Sequence, residues 1–122
     1  VNGWIAVDLD GTLARYDEWR GVDHVGEPIA AMVDRVRGWL RDGHPVHGRV
    51  EVRIFTARVY GDQREEALPA IEAWCLEHLG VVLPVTCTKD YGMIELWDDR
   101  CVQVEANTGR RMDGQPDPVG VP

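Results

Sequence analysis

Apolar residues occur along this chain in short unbroken runs that alternate with longer stretches of helical period, which predicts strands and helices in turn. The first run, Trp4 to Val7, leads straight into Asp8-Leu9-Asp10-Gly11-Thr12-Leu13 and reads as a buried strand delivering carboxylates to its C-terminal end. From Ala14 to Glu27 no period is visible, so this polar and aromatic stretch reads as an irregular flap. Pro28 suits the first position of a helix, where a missing N–H has no partner to lose. Ile29, Met32, Val33, Val36, Trp39 and Leu40 then recur at three- and four-residue steps until Gly43. The segment His44 to Arg49, with Pro45 and Gly48, reads as a surface loop before a second strand, Val50 to Phe55, which ends in Thr56-Ala57-Arg58.

A second helical pattern covers Asp62 to Leu79, with Leu68, Ile71, Cys75 and Leu79 on one face and Gly80 as its stop. Pro69 interrupts it. A helix starting near Leu68, or a separate kinked turn over Glu65 to Leu68, would accommodate the ring. Short apolar runs at Leu83 to Cys87, Met93 to Trp97 and Cys101 to Val104 complete a set of about five strands. The alternation predicts an α/β fold, a three-layer Rossmann-like parallel sheet with helices on both faces. Residues 1–104 form the expected domain. Beyond Glu105 frequent Gly and Pro break every period, so residues 105–122 are expected to be an extended or disordered tail.

With 122 residues the chain has room for one core. Its net charge of -8 disfavours polynucleotides and anionic membranes as partners without excluding nucleic acid. Cys75, Cys87 and Cys101 are widely spaced and lack CxxC pairing, so buried thiols in a reducing cytoplasm are expected rather than disulfides or a zinc site. No run approaches a membrane span, and no signal-peptide pattern opens the sequence.

Polar residues fall at the ends of four successive apolar runs: Asp8 and Asp10, Thr56, Lys89, and Asp98 with Asp99. In a parallel sheet those ends share one edge. Carboxylates, a hydroxyl and an ammonium gathered there suit Mg2+ and a phosphoryl group. In this order the residues resemble the four motifs of the haloacid dehalogenase-like (HAD-like) phosphohydrolases, over residues 4 to 104. The resemblance implies a magnesium-dependent phosphomonoesterase. Asp8 would be the nucleophile that becomes aspartyl-phosphate, and Asp10 the acid and base. Thr56 would hydrogen-bond the phosphoryl oxygens, and Lys89 would pair with nucleophile and phosphate. The metal would be held by Asp8, the Asp10 carbonyl and Asp98, with Asp99 acting through water.

The intervals between motifs leave no room for the cap domain many members carry. An open site is therefore expected, serving a phosphorylated nucleotide, sugar or macromolecule, or closed by a homo-oligomer. Substrate-side candidates are Gly11, Arg15, Tyr16, Trp19 and Arg58. The aromatics would either stack on a base or pack beneath the flap, and Arg58 would either meet an anionic leaving group or form a surface ion pair. His24 is expected to be solvated. Two alternatives remain: a noncatalytic phosphate- or metal-binding module, and a receiver-like phosphoacceptor. A receiver places its adjacent acidic pair at the first strand, whereas here that pair comes last.

Overall fold

The computed structural model describes residues 3–116, so Pro118, Gly120 and Pro122 of the expected tail lie outside them, as do the first two residues. Four strands form one wholly parallel sheet: β1 (Trp4–Asp8), β2 (Glu51–Phe55), β3 (Val85–Thr86) and β4 (Met93–Trp97), in the order β3-β2-β1-β4. The chain steps outward from β1 through helix α1 (Ala30–Asp42) to β2 and through α2 (Arg64–Leu79) to β3. It then returns past β1 to add β4 on the far side. The winding direction therefore reverses between β1 and β4, where α/β sheets open a crevice beyond their C-terminal ends.

Alternation along the strands sorts the side chains. Ile5 and Val7 stand in register with Val52 and Ile54, and these four join the buried residues of both helices in one apolar cluster. From α1 come Met32, Val33, Val36 and Trp39; from α2 come Ala67, Ile71, Trp74, Cys75 and Leu79. The alternate residues Trp4, Ala6, Arg53 and Phe55 lie on the other face, where the Arg53 guanidinium sits 4.5 Å from the centre of a Trp4 ring. No helix follows β3 among the described residues. The connection 87–92 instead anchors to the start of β1, with Trp4 Nε1 donating to Asp90 Oδ1 at 2.8 Å and Trp4 N to Gly92 O at 2.8 Å.

Several boundaries differ from the sequence pattern. Residues 101–104 do not form a fifth strand; Val104 makes only a single bridge, to Arg111. That bridge turns the beginning of the expected tail back on itself, with Glu105 N donating to Arg110 O at 2.7 Å and Met112 N to Gln103 O at 3.0 Å. Pro28 precedes α1 instead of opening it, because it pairs with Ala14 across the neck of the flap and leaves Ile29 as the N-cap. Helix α2 runs continuously through Pro69. A proline near the beginning of a helix forfeits one backbone bond, and burial of five residues along α2 outweighs that loss.

Candidate active site

The loop after β1 is shaped by two buried leucines. Leu9 and Leu13 are fully enclosed, and the Leu9 carbonyl accepts from Leu13 N at 3.0 Å and Ala14 N at 2.9 Å. This tight turn leaves Asp8 and Asp10 at the crevice. Gly11 has φ +89, and a Cβ there would run into the Asp99 carboxylate. Glycine thus lets the loop after β1 touch the loop after β4. Thr12 joins the same two loops: its hydroxyl accepts from Asp99 N at 3.0 Å and lies 3.2 Å from Asp99 Oδ1 and 3.4 Å from Asp8 Oδ2. One hydroxyl hydrogen serves only one of those carboxylates at a time. Its place directly after the Asp-Leu-Asp-Gly run is the sequence signal for this role.

Asp8, Asp98 and Asp99 converge, each offering a carboxylate oxygen within 4.8 Å of the others. Arg100 N donates to Asp98 Oδ1 at 2.7 Å and orients that group. Burial, followed by the Asp98 charge, a hydrogen bond with Asp99 and the charges of Asp99 and Asp10, pushes the Asp8 carboxyl from 3.8 up to about 7. Crowded carboxylates, one of which keeps its proton through burial and its neighbours' charge, are a donor set suited to a hard divalent cation, and Mg2+ takes such oxygens. Asp8, Asp98 and Asp99 are the side chains that would hold it.

Asp10 stands apart from this cluster. Both its oxygens are taken by Arg58, whose Nε and Nη2 donate to Oδ2 and Oδ1 at 2.8 Å each. Arg58 is buried, and its Nη1 also donates to the carbonyls of Gly21, Val22 and His24 at 3.3, 3.0 and 2.7 Å. Its guanidinium lies 5.0 Å from the Trp19 ring centre. Arg58 is therefore not a surface ion pair; it pins the flap to Asp10. The flap is closed at its neck by Arg15 N donating to Glu27 O at 2.7 Å, and at Gly26 the backbone passes so close to Arg15 O that no Cβ fits.

The other candidates divide. Thr56 is buried and lines the cleft; its hydroxyl accepts from Arg58 N at 3.2 Å. Tyr16 and Trp19 line the same cleft of about 690 Å³ and stay open to solvent. Arg15 is exposed and paired with Asp17 at 2.8 Å, beside a smaller recess of about 150 Å³ within the flap. Lys89 is exposed and does not line the cleft, and among the described residues it makes no ion pair with the carboxylates. Its neighbour Asp90 is drawn toward Trp4 and Arg53. The His24 side chain is exposed, and only its carbonyl serves the site.

A second cluster lies away from the cleft. His44, expected in a surface loop, is buried, and its Nε2 lies 2.9 Å from Glu95 Oε1, while His47 Nε2 lies 3.0 Å from Glu95 Oε2. The spacing is compatible with a metal. The hydrogen bonds argue otherwise: His44 Nδ1 accepts from Val46 N at 3.0 Å and His47 N at 3.2 Å. That nitrogen must keep its lone pair, so the ring proton sits on Nε2 and points at Glu95. A metal on Nε2 would require the ring to give up that proton as well. Trp97 Nε1 also donates to Glu95 Oε1, at 3.0 Å. The cluster is a hydrogen-bond clamp between the tight turn after α1 and strand β4.

The fold and site thus define a parallel α/β protein with a carboxylate-rich crevice at its winding reversal. No protein-family model, curated protein or solved structure matches the chain. No helix among the described residues is long and apolar enough to cross a membrane.

Proposed function

We propose that this chain is a magnesium-dependent phosphomonoesterase working through an aspartyl-phosphate. The observation that carries the reading is the convergence of Asp8, Asp98 and Asp99 at one point of the crevice, with the Asp8 carboxyl raised by burial and by their charge. A bound divalent cation would supply the positive charge that turns Asp8 into a free carboxylate and tempers its repulsion of phosphate. One Asp8 oxygen attacks phosphorus, the bond from phosphorus to the ester oxygen breaks, and that oxygen takes a proton from Asp10. Water then attacks the phosphoryl group, returns a proton to Asp10 and frees Asp8. Thr56 donates its hydroxyl hydrogen to a phosphoryl oxygen. Lys89 would have to turn into the cleft to take part.

Arg58 occupies both Asp10 oxygens with a bidentate pair of hydrogen bonds. To act as an acid Asp10 must rotate off the guanidinium. The same grip supports a second reading, in which Asp10 stays on Arg58 and takes no part in proton transfer, and Asp8 is a receiver-like phosphoacceptor. Phosphate release from a panel of phosphomonoesters, with Mg2+ and with EDTA, separates the two. Many turnovers in Mg2+, lost in Asp8→Asn, are expected. Phosphoprotein formed once per chain without sustained release would favour the acceptor, and no Mg2+-dependent phosphate chemistry at all would leave only a binding module.

A further inference from the structure

The walls beside the carboxylates carry information about the ester's leaving group. Tyr16 and Trp19 are 45% and 55% exposed, so neither packs beneath the flap. An indole left open to water forgoes the burial that ordinarily accommodates it. This one is also held in place: it rests on the Arg58 guanidinium, which is itself fixed by Asp10 and three flap carbonyls. The result is a preorganised aromatic platform one guanidinium away from Asp10. A flat π-face so placed rewards a planar group on the substrate and offers little to an alkyl or polyol chain.

The charge around the platform narrows the source of that planar group. Of the two arginines lining the cleft, Arg58 is neutralised by Asp10, while Arg100 makes no ion pair among the described residues. A nucleic-acid strand needs a track of uncommitted cations for its phosphates, and the chain's net charge is -8. A cleft of about 690 Å³ falls within the range that encloses a single small molecule.

Building on the phosphomonoesterase reading, we infer that the substrate is a nucleoside monophosphate whose base stacks on Trp19, beside Tyr16, while its phosphate meets Asp8. The ester bond to the ribose oxygen breaks, that oxygen leaves with the Asp10 proton as nucleoside, and water completes release of phosphate. No reactant besides water is consumed.

The test compares kcat/KM in Mg2+ for adenosine monophosphate, glycerol phosphate, phosphotyrosine and a 5′-phosphorylated oligonucleotide. It uses the full chain and its Trp19→Ala and Trp19→Phe variants, each checked for native circular dichroism. The wild type is expected to prefer the mononucleotide over glycerol phosphate by about tenfold or more. Trp19→Ala should reduce that ratio by about tenfold, chiefly through KM, and Trp19→Phe should retain most of it. A ratio unchanged by Trp19→Ala, or a preference for the oligonucleotide or phosphotyrosine, overturns the inference. Hydrolysis of all esters without preference leaves the phosphatase reading standing and removes this one. No release from any ester removes both.

Discussion

Replacing Asp8 with asparagine should strengthen the metal-free fold while destroying the activity proposed for it. The carboxamide is nearly isosteric and carries no charge, so it relieves the repulsion from Asp98, Asp99 and Asp10 and the burial of an ion. In the native state the Asp8 carboxyl is raised from 3.8 to about 7. The unfolded chain sheds this proton near pH 4 and the folded chain only near pH 7. Stability from this group is therefore full below about pH 4 and is lost as the pH climbs through about 7. The whole displacement would correspond to about 4 kcal/mol. Because the side chain is only half-buried, solvent screening reduces that to about 1–2 kcal/mol.

Urea unfolding in EDTA, with wild type and variant at pH 4 and pH 8, measures it. The two proteins should be of similar stability at pH 4, and Asp8→Asn should be the more stable by about 1–2 kcal/mol at pH 8. Titrating groups remote from Asp8 are shared and cancel in the difference. Adding Mg2+ should stabilise the wild type by mass action and the variant much less. A difference between the two proteins that does not vary with pH, or a variant less stable at pH 8, would refute the reasoning.

Arg58→Met should cost about 3 kcal/mol or more in urea unfolding, since it strands Asp10 and three flap carbonyls, and a near-neutral result would deny that the flap is pinned there. Gly11→Ala should lose about 1–3 kcal/mol of stability and weaken Mg2+ binding measured calorimetrically, because a left-handed backbone and the Asp99 carboxylate both oppose a methyl group. Unchanged metal affinity would mean the two loops do not depend on their contact. At the second cluster, Zn2+ titrated into Asp8→Asn should show no tight His44-dependent binding, and His44→Ala should cost about 1–3 kcal/mol by leaving two amides without an acceptor. Micromolar Zn2+ binding abolished by His44→Ala would make that cluster a metal site after all.

Much of the architecture was legible because it rests on local pattern. Unbroken runs gave β1, β2 and β4, and the helical stripe through Met32, Val33, Val36 and Trp39 gave the buried face of α1. The failures share a cause. Pro28 satisfied a local rule for the first helical position but is taken up by a bridge to Ala14, fourteen residues earlier. Pro69 violated one and was tolerated because α2 has a core to cover. Residues 101–104 have the composition of a strand but do not add to the open edge of β4, and Val104 bridges to Arg111 instead. His44 sits in a loop with turn residues on either side, and only the approach of Glu95 from β4 makes it a buried clamp.

The site divides in the same way. Spacing placed Asp8, Asp98 and Asp99 at strand ends along one edge, but they meet because β4 lies directly beside β1, whereas Lys89, beyond the outlying β3, does not line the cleft. The partner of Asp10 was not readable: nothing in the sequence says that a guanidinium forty-eight positions away will take both of its oxygens. The exposure of Trp19 was equally hidden, since it depends on where Arg58 ends up. The bare sequence therefore determined which chemistry is available and along which edge it lies, because backbone periodicity is a short-range property. Tertiary structure decided which charges are free and which are already spoken for, because pairing between distant side chains is settled only when the chain closes on itself.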